Sequence, residues 1–150
     1  MTILEILKET WNMMELSNSI DKEFHDNGPD NTKIFKVNGE QVRDVFKADF
    51  IGGGHSFVYK FIPENEIWIE DMAHPNDQRF ILSHELSERF LMKHLGMSYP
   101  KAHAKANLLE ARLRKGDNAN QVFDDFCHEN FKKPCLQHIG PQLKLAYDSY

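Results

Sequence analysis

His84, Glu85 and Glu88 are the side chains of this sequence most suited by type and spacing to do chemistry. They lie in the run Phe80-Ile81-Leu82-Ser83-His84-Glu85-Leu86-Ser87-Glu88-Arg89-Phe90-Leu91-Met92. On a helix His84 and Glu88 stand one above the other, on the stripe that also carries Ile81, Leu91 and Leu95. An imidazole and a carboxylate therefore point at the core rather than at water. A buried carboxylate is costly unless a counter-charge or a metal ion accompanies it. Glu85 sits about 100° further round the helix, where the H-E-x-x-H motif of zinc peptidases places its general base. Here Glu88 stands where that motif has its second His.

A second helix supplies the remaining donor. The linker Gly96-Met97-Ser98 is short, so the helices on either side of it pack as roughly antiparallel neighbours. His103 lies one turn into the second helix, and Tyr99, His103, Asn107 and Glu110 share a face. Alanines at 102, 104 and 106 leave room for close approach. Zinc accepts His nitrogen and carboxylate oxygen, and a set of two His and one Glu leaves a position for water. The expected ligands are His84, Glu88 and His103, with Glu85 as general base. Iron also suits a two-His, one-carboxylate site. Tyr99, Asn107, Glu110 and His55 are candidates for supporting the ligands or positioning a substrate. The competing readings are an ion pair of Glu88 with Arg89 or Lys93, and a hydrogen-bonded core histidine at 103.

The elements that must position these groups follow from the patterning. Residues 2 to 18 read as an amphipathic helix through Ile3, Leu4, Leu7, Trp11 and Met14. Residues 26 to 32 are turn formers. Ile34 to Val37 reads as a strand entering a turn at Asn38-Gly39, and residues 42 to 46 fit a strand or a short helix. Gly52-Gly53-Gly54 is a turn or bulge near the site, not a phosphate loop, and His55 follows it as a loop residue. Ser56 to Ile62 and Glu66 to Glu70 read as strands. The His84 helix starts at a cap on Asn76 or Asp77 and ends at Gly96. The next is capped by Ser98, carries Pro100 in its first turn and ends at Gly116. Its buried stripe is Ala102, Ala106, Leu109 and Leu113. A last helix covers 120 to 132, with Pro134 as its stop. Trp11 and Trp68 read as core or edge aromatics, and 147 to 150 as a frayed end. This order is α+β: an N-terminal helix, a small antiparallel sheet, then three helices.

Length and composition bound the rest. A chain of 150 residues suits one domain, 1–150, with its own core. Net charge is −5 and no basic cluster exceeds a pair, which argues against nucleic acid and anionic lipid as partners. No segment reaches membrane-spanning length, and the N-terminus lacks the pattern of a signal peptide. Cys127 and Cys135 form no C-x-x-C pair, so reduced thiols in a cytoplasmic protein are expected. Of 8 histidines, His74 precedes Pro75 in a loop and reads as solvated, His94, His128 and His138 lack partners at ligand spacing, and Cys127-His128 with Cys135 and His138 does not fit a zinc finger.

Asn65 through Glu110 resembles short bacterial and phage proteins of the zincin-like metallopeptidase type. The residues that carry the likeness are Ile62-Pro63, Glu66-Ile67-Trp68-Ile69, His84-Glu85, Glu88-Arg89, Leu91-Met92, Gly96-Met97, Tyr99, Ala102-His103, Ala106 and Glu110. Gly53-Gly54-His55 with Phe57-Val58-Tyr59 extends it toward the N-terminus. The resemblance implies a minimal zincin-like domain, a strand and two helices around one metal ion, with zinc the expected ion and another divalent metal the alternative, and hydrolysis of a peptide or other amide. It also implies an edge strand, here 66–70, along which an extended peptide pairs. Zincins with a distal Glu ligand make Glu110 the alternative to Glu88. The competing function is a non-catalytic structural or interaction protein whose buried polar cluster binds a metal or only itself.

Overall fold

A computed structural model of the chain describes residues 1–132 and 138–150. The order is α1 (Ile3–Asn18), β1 (Lys22–Asn27), β2 (Lys33–Val37), α2 (Gly39–Phe46), β3 (Gly53–His55), β4 (Glu66–Glu70), α3 (Pro75–Leu95), α4 (Tyr99–Lys115), α5 (Ala119–Asn130) and α6 (Ile139–Asp148). The α+β class read from the patterning holds.

The sheet runs β1-β2-β4-β3. β1 and β2 pair antiparallel, as do β3 and β4, but β2 and β4 pair parallel, from Lys33 opposite Glu66 to Val37 opposite Glu70. The sheet is therefore mixed rather than antiparallel. The cause is local: Asn38 does not turn a hairpin but caps α2, its side chain accepting from the Gln41 N–H at 3.0 Å. A chain that leaves β2 into a helix returns by a crossover, and a crossover delivers a parallel strand.

β4 is the hub of the packing. Ile67 and Ile69 face a core shared with α3, α4, α5 and α6, while Trp68 faces a second core with Ile20, Val42, Phe50, Phe61 and Ile62. Burial on both faces explains the unbroken apolar run Ile67-Trp68-Ile69. It also overturns the expectation of a free edge at 66–70. β2 occupies one side of β4 and β3 the other, so no peptide can add there.

Four further differences have physical causes. β1 was hidden because Lys22-Glu23-Phe24-His25-Asp26-Asn27 is polar, and it forms because it pairs along the whole of β2. Ser56 to Ile62 is a chain of turns, not a strand; it folds back so that Tyr59, Phe61 and Ile62 all reach the second core. Residues 147 to 150 are packed rather than frayed, with Tyr147 against Phe80 and Phe123, and Tyr150 stacked on His25 at 3.9 Å. Trp11 is 61% exposed and lies in neither core of the described residues. Cys127 is buried in the first core; Pro134 and Cys135 lie outside the described residues.

Candidate metal centre

Three elements bring the site together. α3 is capped by His74, whose Nδ1 accepts from the Asn76 N–H at 3.2 Å, with Pro75 in the first turn. The cap is thus two residues ahead of Asn76, which still leaves His84, Glu85 and Glu88 mid-helix. Gly96 closes α3 at φ 60°, a left-handed geometry that glycine takes without strain, and α4 starts from Ser98 with Pro100 in its first turn. Ala102 and Ala106 are fully buried and let α4 lie close against its neighbours. β3 comes in from the sheet. A Cβ on Gly53 would lie 2.9 Å from the Trp68 carbonyl, and one on Gly54 2.6 Å from the Tyr59 ring. Only glycine permits this approach, and the approach drops His55 into the interior with no exposed surface.

Glu88 is the centre of the arrangement, buried at 2% exposure. Its Oε2 is 3.1 Å from His84 Nε2 and 2.8 Å from His103 Nδ1, and those two nitrogens are 3.2 Å apart. Its Oε1 is 2.8 Å from His55 Nε2. Glu85 Oε2 lies 3.8 Å from the same His55 nitrogen. Arg89 is not the partner of Glu88. Its buried guanidinium points the other way, to Asp30 Oδ2 at 3.2 Å and the Glu64 carbonyl at 3.1 Å, and Lys93 also goes to Asp30.

Glu110 stands behind His84, its Oε1 3.0 Å from Nδ1. Nδ1 makes no well-aligned hydrogen bond, so the contact is an ion pair. Arg114 holds the same carboxylate at 2.7 Å. A carboxylate on the far ring nitrogen is the usual companion of a metal-ligating histidine. That placement answers which glutamate could be a ligand: Glu88 shares the meeting point of His84 and His103, and Glu110 does not.

The electrostatics ask for a cation at that point. Burial pulls His84 toward the neutral form, but Glu110 and Glu88 on either side outweigh it and lift its pKa to about 10. Burial likewise works against a charged Glu88, but the hydrogen bonds from His55, His84 and His103 hold it down at about 2. Glu85 is pushed up to about 8, by burial first and then by the Glu88 charge. Without a metal, a proton on His84 supplies the positive charge that Glu88 and Glu110 demand. A divalent ion would supply more. Two donors on a tetrahedral zinc lie about 3.3 Å apart, close to the spacings of 2.8–3.2 Å among His84 Nε2, His103 Nδ1 and Glu88 Oε2. The donor set fits the metal.

The centre is open on the α4 side. The His103 side chain is 41% exposed, and Tyr99 packs on its ring at 5.2 Å. Asn107 is exposed on α4. A groove of about 860 Å³ runs between α1 and residues 56–66, beside Phe57, but its walls exclude His84, Glu88 and His103. Tyr59, which the sequence did not single out, has its phenol pushed up by burial and by Glu85, and donates to the Asp49 carbonyl at 2.9 Å. His55 was expected in a loop; its burial was foreshadowed only by the three glycines before it, which imply close backbone packing. His94 pairs with Asp30 at 2.8 Å, and His128 lies on the surface beside Asp124.

Comparison of the chain with protein-family models, curated proteins and solved structures finds no match. Among the described residues no helix is long and apolar enough to cross a membrane.

Proposed function

We propose that this chain is a cytoplasmic, zincin-like, metal-dependent hydrolase acting on a peptide or other amide. The observation that carries the reading is the convergence of His84 Nε2, His103 Nδ1 and Glu88 Oε2 at 2.8–3.2 Å, with Glu85 on the next position of the same helix. His84, Glu88 and His103 would hold zinc or another divalent first-row ion. Such an ion supplies Lewis acidity, activating water and polarising a carbonyl. Glu85 is the acid–base group. Burial raises its affinity for a proton, so this carboxylate can hold the proton taken from water and return it to a leaving amine. Tyr99, on the exposed side beside His103, would meet a substrate there. Access is from the α4 side and not by strand addition at 66–70.

The structural alternative has one observation in its favour: with His84 protonated, the cluster can satisfy Glu88 by hydrogen bonds alone. Metal analysis of the purified chain separates the two. The proposal expects zinc at one equivalent, lost in His84→Ala and His103→Ala. A chain that takes up no metal from a zinc-containing buffer sinks it. Glu85→Gln should keep the metal while hydrolysis of a casein or peptide-library substrate falls about 10²–10⁴-fold; undiminished hydrolysis refutes the assignment of the base.

A further inference from the structure

We infer that His55 is a positioning residue that holds Glu88, and not a metal ligand, so that the centre takes one ion and not two. This rests on the metal-centre reading above. Two sets of ligand-capable groups share Glu88: His84 with His103, and His55 with Glu85. A carboxylate shared in this way is what bridges the ions of a two-metal hydrolase, so ligand type alone would admit a second ion at Oε1.

The ring of His55 decides against it. Its Nδ1 lies 3.2 Å from the Phe57 N–H. A backbone N–H can only donate, so Nδ1 presents a lone pair. A neutral imidazole that accepts at Nδ1 carries its hydrogen on Nε2. That Nε2–H is what meets Glu88 Oε1 at 2.8 Å. The nitrogen facing the cluster therefore has no lone pair to give to a metal. To become a ligand, His55 would have to move its hydrogen to Nδ1 and face the Phe57 N–H donor to donor. The backbone resists that change. The His55 carbonyl accepts from the Val58 and Tyr59 N–H groups at 3.2 and 3.0 Å, which fixes the turn presenting the Phe57 N–H. β3 is itself pressed between β4 and the Tyr59 ring by its two glycines.

The consequence for Glu88 is directional. With Oε1 anchored by His55, Oε2 is held at the meeting point of His84 and His103. Loss of a hydrogen bond that orients a metal ligand lowers affinity about 10–100-fold without removing a ligand.

The test is a zinc titration of the full chain by competition with a chelator of known affinity, on wild type, His55→Gln and His55→Phe. Gln keeps an N–H donor, and Phe removes it at nearly the same volume. The expected result is one zinc per chain in all three. His55→Gln should stay within about threefold of wild type and His55→Phe fall about 10–100-fold. The cobalt-substituted spectra should be the same in all three, because the ligands are the same. Two zinc ions per wild-type chain, or wild-type affinity in His55→Phe, overturns the inference and leaves the His84–Glu88–His103 reading intact. No zinc in wild type overturns both. Should His55→Phe not fold, ¹⁵N NMR of the wild-type histidine rings still decides. His55 should show Nε2–H and a lone-pair Nδ1 both with and without zinc. A hydrogen on Nδ1, or a zinc-induced change at Nε2, refutes the assignment.

Discussion

Glu88 is a buried anion surrounded by imidazoles from three elements, and its neighbours differ in what they do for it. His84 and His103 meet it where a cation belongs, and His55 ties down its other oxygen. Glu110 acts through His84, so Glu110→Gln should weaken zinc binding about 10–100-fold, while His84→Ala abolishes it. Equal loss in the two variants, measured by chelator competition, would make Glu110 a ligand. Protons compete for the same place. The His84 pKa is raised from 6.5 to about 10 in the folded metal-free chain, so the stability it contributes is complete below pH 6.5 and lost as pH climbs through 10. The Glu85 pKa is raised from 4.5 to about 8, so the folded state prefers it protonated, and stability is lost between those values as well. The signs agree. The melting temperature of chelator-treated protein should fall between pH 6.5 and 10, and the zinc-loaded protein should fall less. A flat metal-free profile over that range would contradict the proton-for-metal picture.

At the scale of elements, two of the carboxylates that fasten α3 each gather three partners, and only one of them belongs to the metal centre. The other is Asp30, in the loop between β1 and β2, whose Oδ2 collects Arg89, Lys93 and His94 of α3 at 2.8–3.2 Å. Arg89 is almost fully buried, so removing its counter-charge leaves a buried cation short of a partner. Asp30→Asn should cost about 2–3 kcal/mol in urea unfolding. This lies below the usual cost of breaking a buried pair, because Arg89 keeps the Glu64 carbonyl and Asn65. Lys93→Ala, on the surface, should stay within about 0.5 kcal/mol. Burial works to raise the Asp30 pKa, but His94 and Lys93 outweigh it and hold the carboxyl below its ordinary value of 3.8. Its contribution is therefore present above pH 4 and fades as pH falls below that, a dependence that Asp30→Asn should lack. A wild-type loss of stability on acidification no steeper than the variant's would refute the latch.

These two fastenings show what was legible. The facing of His84 and Glu88 on α3, the short link at Gly96, and His103 one turn into α4 all come from spacing within or between adjacent helices, where 3.6-residue periodicity is informative. The partners of Arg89 and Glu88 across the sheet were not legible. Asp30 is 59 residues from Arg89, and His55 is 33 residues from Glu88. Sequence pattern names the faces of a strand but not the order of strands in a sheet. The same ignorance made β4 an edge, when its apolar run on both faces already suited an interior position.

For the whole molecule, α1 is the helix whose apolar stripe the described residues leave largely uncovered. It is well formed, with a capping box in which Thr2 and Glu5 satisfy each other's N–H groups. Its contact with the second core is through Met13, with Ser17 buried beside it, while Leu4, Leu7 and Trp11 are 76, 60 and 61% exposed. Side chains that stay mostly exposed bury little apolar surface on folding and contribute correspondingly little to it. The double substitution Leu7→Gln, Trp11→Gln should therefore change unfolding free energy by about 0.5 kcal/mol or less, since Gln is as good a helix former as either. Leu91→Ala, at a fully buried position of the first core, should cost about 2–5 kcal/mol by transfer loss and cavity formation. Trp68, on β4 and buried in the second core, is the one tryptophan left in the α1 double variant to report the transition. A loss in the α1 double variant comparable to that of Leu91→Ala would mean that α1 packs against the body through its apolar stripe, contrary to the arrangement found here.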